Sequence, residues 1–242
     1  MNKRNFMFLA LLGAMVLNGH GEVRAQDANR WHNVDVNQQN RAPRRAAFFA
    51  FENQDKAQAF EKKNSANYLS MEGTWKFNFV KDYNKRPVNF FAANFDDSQW
   101  KDFPVPGLFE LNGYGDATYK NIGYAWATQF DPNPPYISEL NNYTGSYRRT
   151  FDLPKDWKGK DVYFHVGSAT SNLTLWVNGK YVGYSEDSKV AAEFNISKYL
   201  KPGKNLIAMQ VMRWCDGSYF EDQDFWRFTG IAREVYLYAR PK

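Results

Sequence analysis

The sequence predicts an all-β domain, a jelly-roll β-sandwich with an extended N-terminal arm. Three observations predict it. Short runs of β-branched and aromatic residues alternate with period two. Turn signals recur between those runs, and no window of a dozen residues sustains a helical face. Of the 242 residues, 43% are hydrophobic and 24% charged, so the chain can bury a core and is too apolar to be disordered. Its 20 Phe, 15 Tyr and 8 Trp either pack between sheets or lie against ligand rings. A (β/α)₈ barrel takes about 250 residues, which leaves no room for one beside the sandwich.

The elements follow in chain order. Residues 1–25 read as a secretory signal peptide: Lys3 and Arg4 precede an apolar run from Phe6 to Leu17, and small residues flank a cleavage point after Ala25. The run is too short for about 30 Å of hydrocarbon and no lipid-acceptor Cys adjoins it, so no membrane span is expected after cleavage. Losing Lys3, Arg4, Arg24 and Glu22 with the leader takes the net charge from +5 to +3. The mature chain is then exported, to a periplasm or the cell exterior.

Residues 26–64 are polar and poor in periodicity, and read as an extended arm. Its Phe48, Phe49 and Phe51 form an exposed apolar patch unless something covers them, so the arm is expected to dock on the rest of the chain or on a partner subunit.

Residues 65–242 carry the sandwich. Trp75, Phe77 and Phe79 alternate with Lys76 and Asn78, and Tyr147, Arg149, Phe151 and Leu153 alternate with Arg148, Thr150 and Asp152. Val162, Phe164 and Val166 share one face; Tyr163 and His165 take the other. His165 is therefore expected as a strand residue, with no nucleophile or carboxylate recognisable beside it. Leu173, Leu175 and Val177 lead to Asn178-Gly179, a dipeptide suited to a type I′ hairpin turn, and Tyr181 opens the returning strand. Lys201-Pro-Gly-Lys204 marks a turn before a strand at 205–213, and 233–238 closes the set. Helical character is expected only in short stretches at 96–100 and 196–200.

Charge and cysteine content remove further classes. The 31 basic and 26 acidic residues are interspersed and form no stripe that tracks a phosphate backbone, so nucleic acid is not an expected partner. Cys215 is alone, excluding an intrachain disulfide, and no His or second Cys clusters with it for zinc; it reads as a buried thiol.

Two segments carry functional side chains. The stretch 213–230 places Asp216, Glu221, Asp222 and Asp224 among aromatics. These acids suit three roles: binding sugar hydroxyls or a cation, forming a carboxylate pair for glycoside hydrolysis, or pairing with Arg213, Arg227 and Arg233 to pin the loop. The stretch 104–121 continues through Tyr124 and Trp126 as a long loop, where Asn121 offers both the donor and the acceptor that recognition of a hydroxyl needs. An amide capping a turn is the structural alternative.

Four stretches taken together resemble the N-terminal part of the β-galactosidases of glycoside hydrolase family 2: Asn-Gly-Tyr-Gly-Asp at 112–116, Gly-Ser-Tyr-Arg-Arg at 145–149, Trp-Val-Asn-Gly-Lys-Tyr-Val-Gly-Tyr-Ser-Glu-Asp-Ser at 176–188, and Asp-Gly-Ser-Tyr-Phe-Glu-Asp-Gln-Asp-Phe-Trp-Arg at 216–227. The resemblance implies a sugar-binding jelly-roll domain. It implies that Asn121 hydrogen-bonds a sugar hydroxyl, and that Asp224 accepts from the galactosyl 6-hydroxyl region and helps to hold a monovalent cation, sodium. The arm at 31–45 is similar to a family segment that stabilises subunit association, so a homo-oligomer is among the expected partners, with β-galactoside sugars and a catalytic barrel. In that family a retaining double displacement uses two barrel glutamates, with magnesium bound in the barrel. The sequence stops at Lys242, before such a barrel; no catalytic residue is assigned here, and the chain alone is expected to be inactive. A freestanding carbohydrate-binding module without hydrolysis is the alternative.

Overall fold

The alternation read from the sequence becomes sixteen short strands among residues 30–242, which the computed structural model describes. The leader expected at 1–25 and residues 26–29 of the arm lie outside the described residues. In chain order the strands are β1 (Gln38–Gln39), β2 (Tyr68–Ser70), β3 (Gly73–Val80), β4 (Lys101–Val105), β5 (Gly107–Leu108), β6 (Thr118–Lys120), β7 (Thr144–Leu153), β8 (Asp161–Val166), β9 (Ala169–Thr170), β10 (Asn172–Val177), β11 (Lys180–Glu186), β12 (Ala192–Asn195), β13 (Gly203–Met212), β14 (Phe225–Arg227), β15 (Gly230–Ile231) and β16 (Val235–Arg240).

A seven-stranded sheet, ordered β1-β11-β10-β13-β7-β3-β4, packs on a four-stranded sheet ordered β12-β8-β16-β2. The stripes predicted for the core meet there. Trp75, Phe77, Tyr147, Leu175 and Met209 from the larger sheet share one cluster with Val162, Phe164, Phe194 and Leu237 from the smaller. Each such side chain contributes roughly 1.5–3 kcal/mol through burial. The Asn178-Gly179 turn forms as expected, with φ of +51° and +82°. The Asn178 amide donates to Tyr199 O and Asn205 Oδ1, both at 2.8 Å, which ties the hairpin to the start of β13.

Period-two patterning leads one to expect polar outer faces, yet both are covered. Over the large sheet, Phe90 and Phe91 of the 81–100 segment pack on Trp176 and Ala208. Arg148, on that face, donates to the carbonyls of Phe90 and Ala92 and pairs with Asp97 at 2.6 Å. Over the small sheet, Tyr163, Tyr236 and Tyr238 form a cluster on which Ala42 and Phe49 of the arm rest.

The arm thus docks on its own sandwich. β1 pairs antiparallel with β11 through Gln38 and Ser185, and Ala42 N donates to Glu193 O at 2.8 Å, so the arm crosses from the edge of one sheet to the edge of the other. It is not extended throughout. Gln54–Ala59 form a six-residue helix, α1, whose N-cap Asn53 accepts from Lys56 N at 3.0 Å. A helix this short falls beneath the window that detects a helical face. The Phe patch is only partly covered, since Phe48 remains 55% exposed.

Two local expectations need correction. Residues 96–100 make turns rather than a helix, because Asp96 Oδ1 accepts from Ser98 N at 2.9 Å and the side chain competes for the backbone donor. At 196–200 the expected helical character is present as a 3₁₀ turn, Ser197–Tyr199, but it is not confined to the expected stretches, since Ala125–Thr128 and Asp216–Tyr219 also form 3₁₀ turns too short for a helical period to show. His165 is a strand residue as expected, but it does have a carboxylate partner. Its Nδ1 lies 2.9 Å from Oε1 of Glu193, its neighbour on β12, and its ring stacks on Tyr236 at 4.3 Å. The partner comes from 28 residues away, which no local spacing reveals. Burial opposes ionisation of Glu193, but the hydrogen bond from His165 and the charge of Arg45 hold its carboxyl below the usual range. Among the described residues no helix is long and apolar enough to cross a membrane.

Candidate functional site

The four acids of the 213–230 stretch separate into two kinds. Three are held by the fold. Arg227, with its side chain fully buried, pairs with Asp222 at 2.6 Å and Glu221 at 3.3 Å, and donates to Ser218 Oγ at 3.0 Å. Its guanidinium lies 4.5 Å from the Trp214 ring centroid. Glu221 also accepts from the Ser188 amide at 3.0 Å and its hydroxyl at 2.6 Å, and Lys189 reaches Asp222 at 3.2 Å. The pinning role considered for Arg227 is therefore present. Arg213 instead pairs with Glu110 at 2.8 Å, both side chains almost wholly buried, and Arg233 donates to Lys189 O at 2.7 Å rather than to any of these acids.

The third held acid is Asp216, buried beside Glu186 and Cys215, with ligand atoms of all three within 4.8 Å of one another. That spacing suits a cation only when the groups are deprotonated. Burial, reinforced by Asp216, pushes the Glu186 carboxyl up to about 9, and burial raises the Cys215 thiol. Tyr184 donates to Glu186 Oε1 at 2.6 Å, so near neutral pH the cluster is a hydrogen-bonded group built around a protonated acid. The expectation that Cys215 is a buried thiol is met.

Asp224 is different: it is exposed, and no described cation pairs with it. It immediately precedes β14, which pairs with β6 in a two-stranded ribbon with Phe225 opposite Lys120, Trp226 opposite Tyr119 and Arg227 opposite Thr118. The last pair of the ribbon joins Lys120, the residue before Asn121, to Phe225, the residue after Asp224. The two residues named from sequence, 103 positions apart, therefore both adjoin the same end of one ribbon. Tyr119 Oη donates to Asp224 Oδ1 at 3.1 Å, and this bond to the carboxylate raises the phenol above its ordinary value. Asp224 adopts φ +52°, outside the strand region, where the chain turns into β14.

The base of the ribbon is fixed by buried charge. Arg213 Nη2 donates to Thr118 Oγ1 at 3.0 Å and Nη1 to Asp116 O at 3.0 Å, while Glu110 accepts from Thr229 N at 2.8 Å and Oγ1 at 2.9 Å. The 121–142 loop leaves the ribbon to join a second apolar cluster, where Trp126 and Phe130 pack on Trp214 and Tyr219. Above this base the ribbon is open: Tyr119, Phe225 and Trp226 are each about half exposed. Sequence reasoning missed Glu110 and Tyr119, because strands of three residues carry no readable alternation and both partners lie about a hundred residues away.

The site offers an amide and a carboxylate at one end of the ribbon, with aromatic rings along it. Such a set exchanges hydrogen bonds with hydroxyl groups and gives a cation one hard oxygen ligand. Of the four acids in this loop, Glu221 and Asp222 pair with Arg227 and Asp216 is buried, which leaves Asp224 as the one exposed to solvent without a pairing cation among the described residues.

Comparison with known proteins agrees with this chemistry. Residues 68–241 match the model for the sugar binding domain of glycosyl hydrolases family 2. A β-galactosidase of Priestia megaterium is 38% identical over 224 residues, covering 92% of this chain and 22% of that protein. One from Halalkalibacterium halodurans is 41% identical over 172 residues, covering 71% of this chain and 17% of the relative. Among solved structures, Bacteroides uniformis β-glucuronidase 2 covalently bound to cyclophellitol-6-carboxylate aziridine superposes with a TM-score of 0.54 and 28% identity, over 72% of this chain and 18% of that one. The chain thus spans about a fifth of the length of these relatives. With the family model matched across the whole sandwich, the chain belongs to family 2 of the glycosyl hydrolases, as its sugar binding domain.

Proposed function

We propose that this domain serves a β-galactosidase that removes terminal non-reducing β-D-galactose, and that it supplies substrate contacts to an active site completed by a catalytic barrel. The observation that carries the reading is the β6–β14 ribbon, whose last pair, Lys120 with Phe225, brings the adjoining Asn121 and the exposed Asp224 to one end. In this role the Asn121 amide hydrogen-bonds a sugar hydroxyl and Asp224 accepts from the galactosyl 6-hydroxyl. A β-glucuronide presents a carboxylate at that carbon, which has no proton to donate to the Asp224 carboxylate, so Asp224 favours the galactoside. The β-galactosidase relatives also share more identity with this chain, 38% and 41%, than the β-glucuronidase 2 structure does at 28%.

The residues fit a shared sodium site in part. Asp224 Oδ1 is engaged by Tyr119, while Oδ2 has no hydrogen bond among the described residues and suits a hard monovalent cation. Sodium there would add positive charge beside the sugar hydroxyl; its other ligands, the magnesium site and both catalytic glutamates belong to the barrel. The leader pattern at 1–25 supports export. A freestanding binding module is less well supported, because Tyr119 and Trp226 are tilted by 41° and offer no flat platform for a sugar ring.

The test is an NMR titration of the isotopically labelled chain with galactose and with glucuronate. Galactose is expected to bind weakly and to shift Asn121 and its ribbon neighbours, glucuronate to leave them in place. Equal responses, or shifts confined to another surface, would contradict the reading.

A further inference from the structure

Between the arm and the outer face of the small sheet lies a cavity of about 620 Å³, outside the ribbon just described. Its size is that of a site for a single small organic molecule. The Phe patch of the arm, left partly uncovered by docking, contributes to its wall: Phe48, Phe49 and Phe60 line it together with Tyr236 of β16.

The polar lining decides what such a molecule is. No Asn, Gln, Ser or Thr lines the cavity, and its neutral polar side chains are Tyr236 and His165 alone, the latter already bonded to Glu193, so it is poor in the donor and acceptor pairs that sugar hydroxyls require. Six basic residues line it against three acids, Glu61, Glu193 and Glu234. Two of those acids are already neutralised, Glu193 by Arg45 at 2.8 Å and Glu234 by Lys62 at 2.5 Å. Arg44, Lys63 and Lys189 find acids outside the lining, namely Asp187, Glu72 and Asp222. Arg233 and Glu61 are left with no partner of opposite charge among the described residues, and Arg233 Nη1 donates only to a carbonyl. An aromatic wall beside a guanidinium with no acidic partner complements a planar apolar body bearing one anionic group.

We propose that this cavity is a second binding site, independent of the sugar-contacting ribbon, and that it takes a small aromatic carboxylate whose ring lies among Phe48, Phe49, Phe60 and Tyr236 and whose carboxylate meets Arg233.

Calorimetric titration of the full chain with 2-naphthoate and with neutral 2-naphthamide tests this, with galactose as a competitor. The expected result is one-to-one binding of the naphthoate, about tenfold weaker binding of the amide, and no competition by galactose. Arg233→Gln should weaken the naphthoate about tenfold and leave the amide unchanged. Phe60→Ser, at an exposed position, should weaken both ligands while the unfolding midpoint stays near wild type. Equal affinities for acid and amide, an unchanged Arg233→Gln titration, or displacement by galactose would each overturn the proposal. So would light scattering that shows a dimer which Phe60→Ser dissociates, with no naphthoate bound, because the wall would then belong to a second copy of the chain.

Discussion

The two ends of the 213–227 segment share a composition and differ in almost everything else. At its start and centre, Asp216 is buried beside Glu186 and Cys215, Glu221 and Asp222 pair with Arg227, and the Trp214 and Tyr219 rings are buried. At its far end Asp224 stands in solvent, held by one hydrogen bond from Tyr119. The difference teaches that acidity in a loop has two uses. Acids that meet buried arginines fix the backbone, and the fixed backbone then presents the one acid that meets none.

The comparison breaks most sharply at Arg227. Arg227→Met should cost about 3–5 kcal/mol in urea unfolding, because Asp222 would be left buried with only Lys189 to pair it. A loss under 1 kcal/mol, the ordinary worth of a surface ion pair, would remove the distinction between the two ends.

Glu186 gives the next effect, read as a pH dependence. Its carboxyl rises from 4.5 to about 9 on folding, so the folded state binds the extra proton between those values. That contribution to stability is fully present below about pH 4.5 and is lost as pH rises towards 9. Glu186→Gln, which keeps the hydrogen-bonding shape without the titration, should flatten the fall in urea midpoint across this window. Identical slopes for the two proteins would place the proton elsewhere.

At the exposed end the effects on stability shrink. Asp224→Asn should change it by no more than about 0.5 kcal/mol, as surface substitutions do. Its visible signature should be local: the Tyr119 phenol, raised chiefly by its bond to Asp224, should titrate closer to its ordinary value when followed by carbon NMR. A phenol unmoved by the substitution would mean that the ribbon tip does not hold this geometry in solution.

Much of the sandwich was legible because its chemistry is local. Trp75, Phe77, Val162, Phe164 and Leu175 needed only parity, and Asn178-Gly179 only the tolerance of positive φ. What escaped was long-range. The covering of both outer faces depends on the 81–100 segment and the arm, which carry no periodicity. The Arg213–Glu110 pair joins residues 103 apart, and α1 is too short for its period to show. Asn121 and Asp224 stood out in separate stretches and took their sugar and cation roles from the family resemblance; that both adjoin one ribbon end follows only from a three-residue pairing between β6 and β14. The buried acid at Glu186 was not anticipated, since nothing near it in sequence announces Asp216 as its neighbour.

The central claim, that the ribbon supplies galactoside contacts to a site completed elsewhere, is tested most directly by hydrolysis of a chromogenic β-galactoside. The chain should be assayed alone and joined through its C-terminus to a family 2 barrel. No turnover by the chain alone, activity in the joined protein, and a fall of about 10²-fold in kcat/KM on Asp224→Ala would bear the claim out. Turnover by the chain alone, lost on changing Glu221 or Asp224, would contradict it and move the chemistry into the 216–224 loop itself.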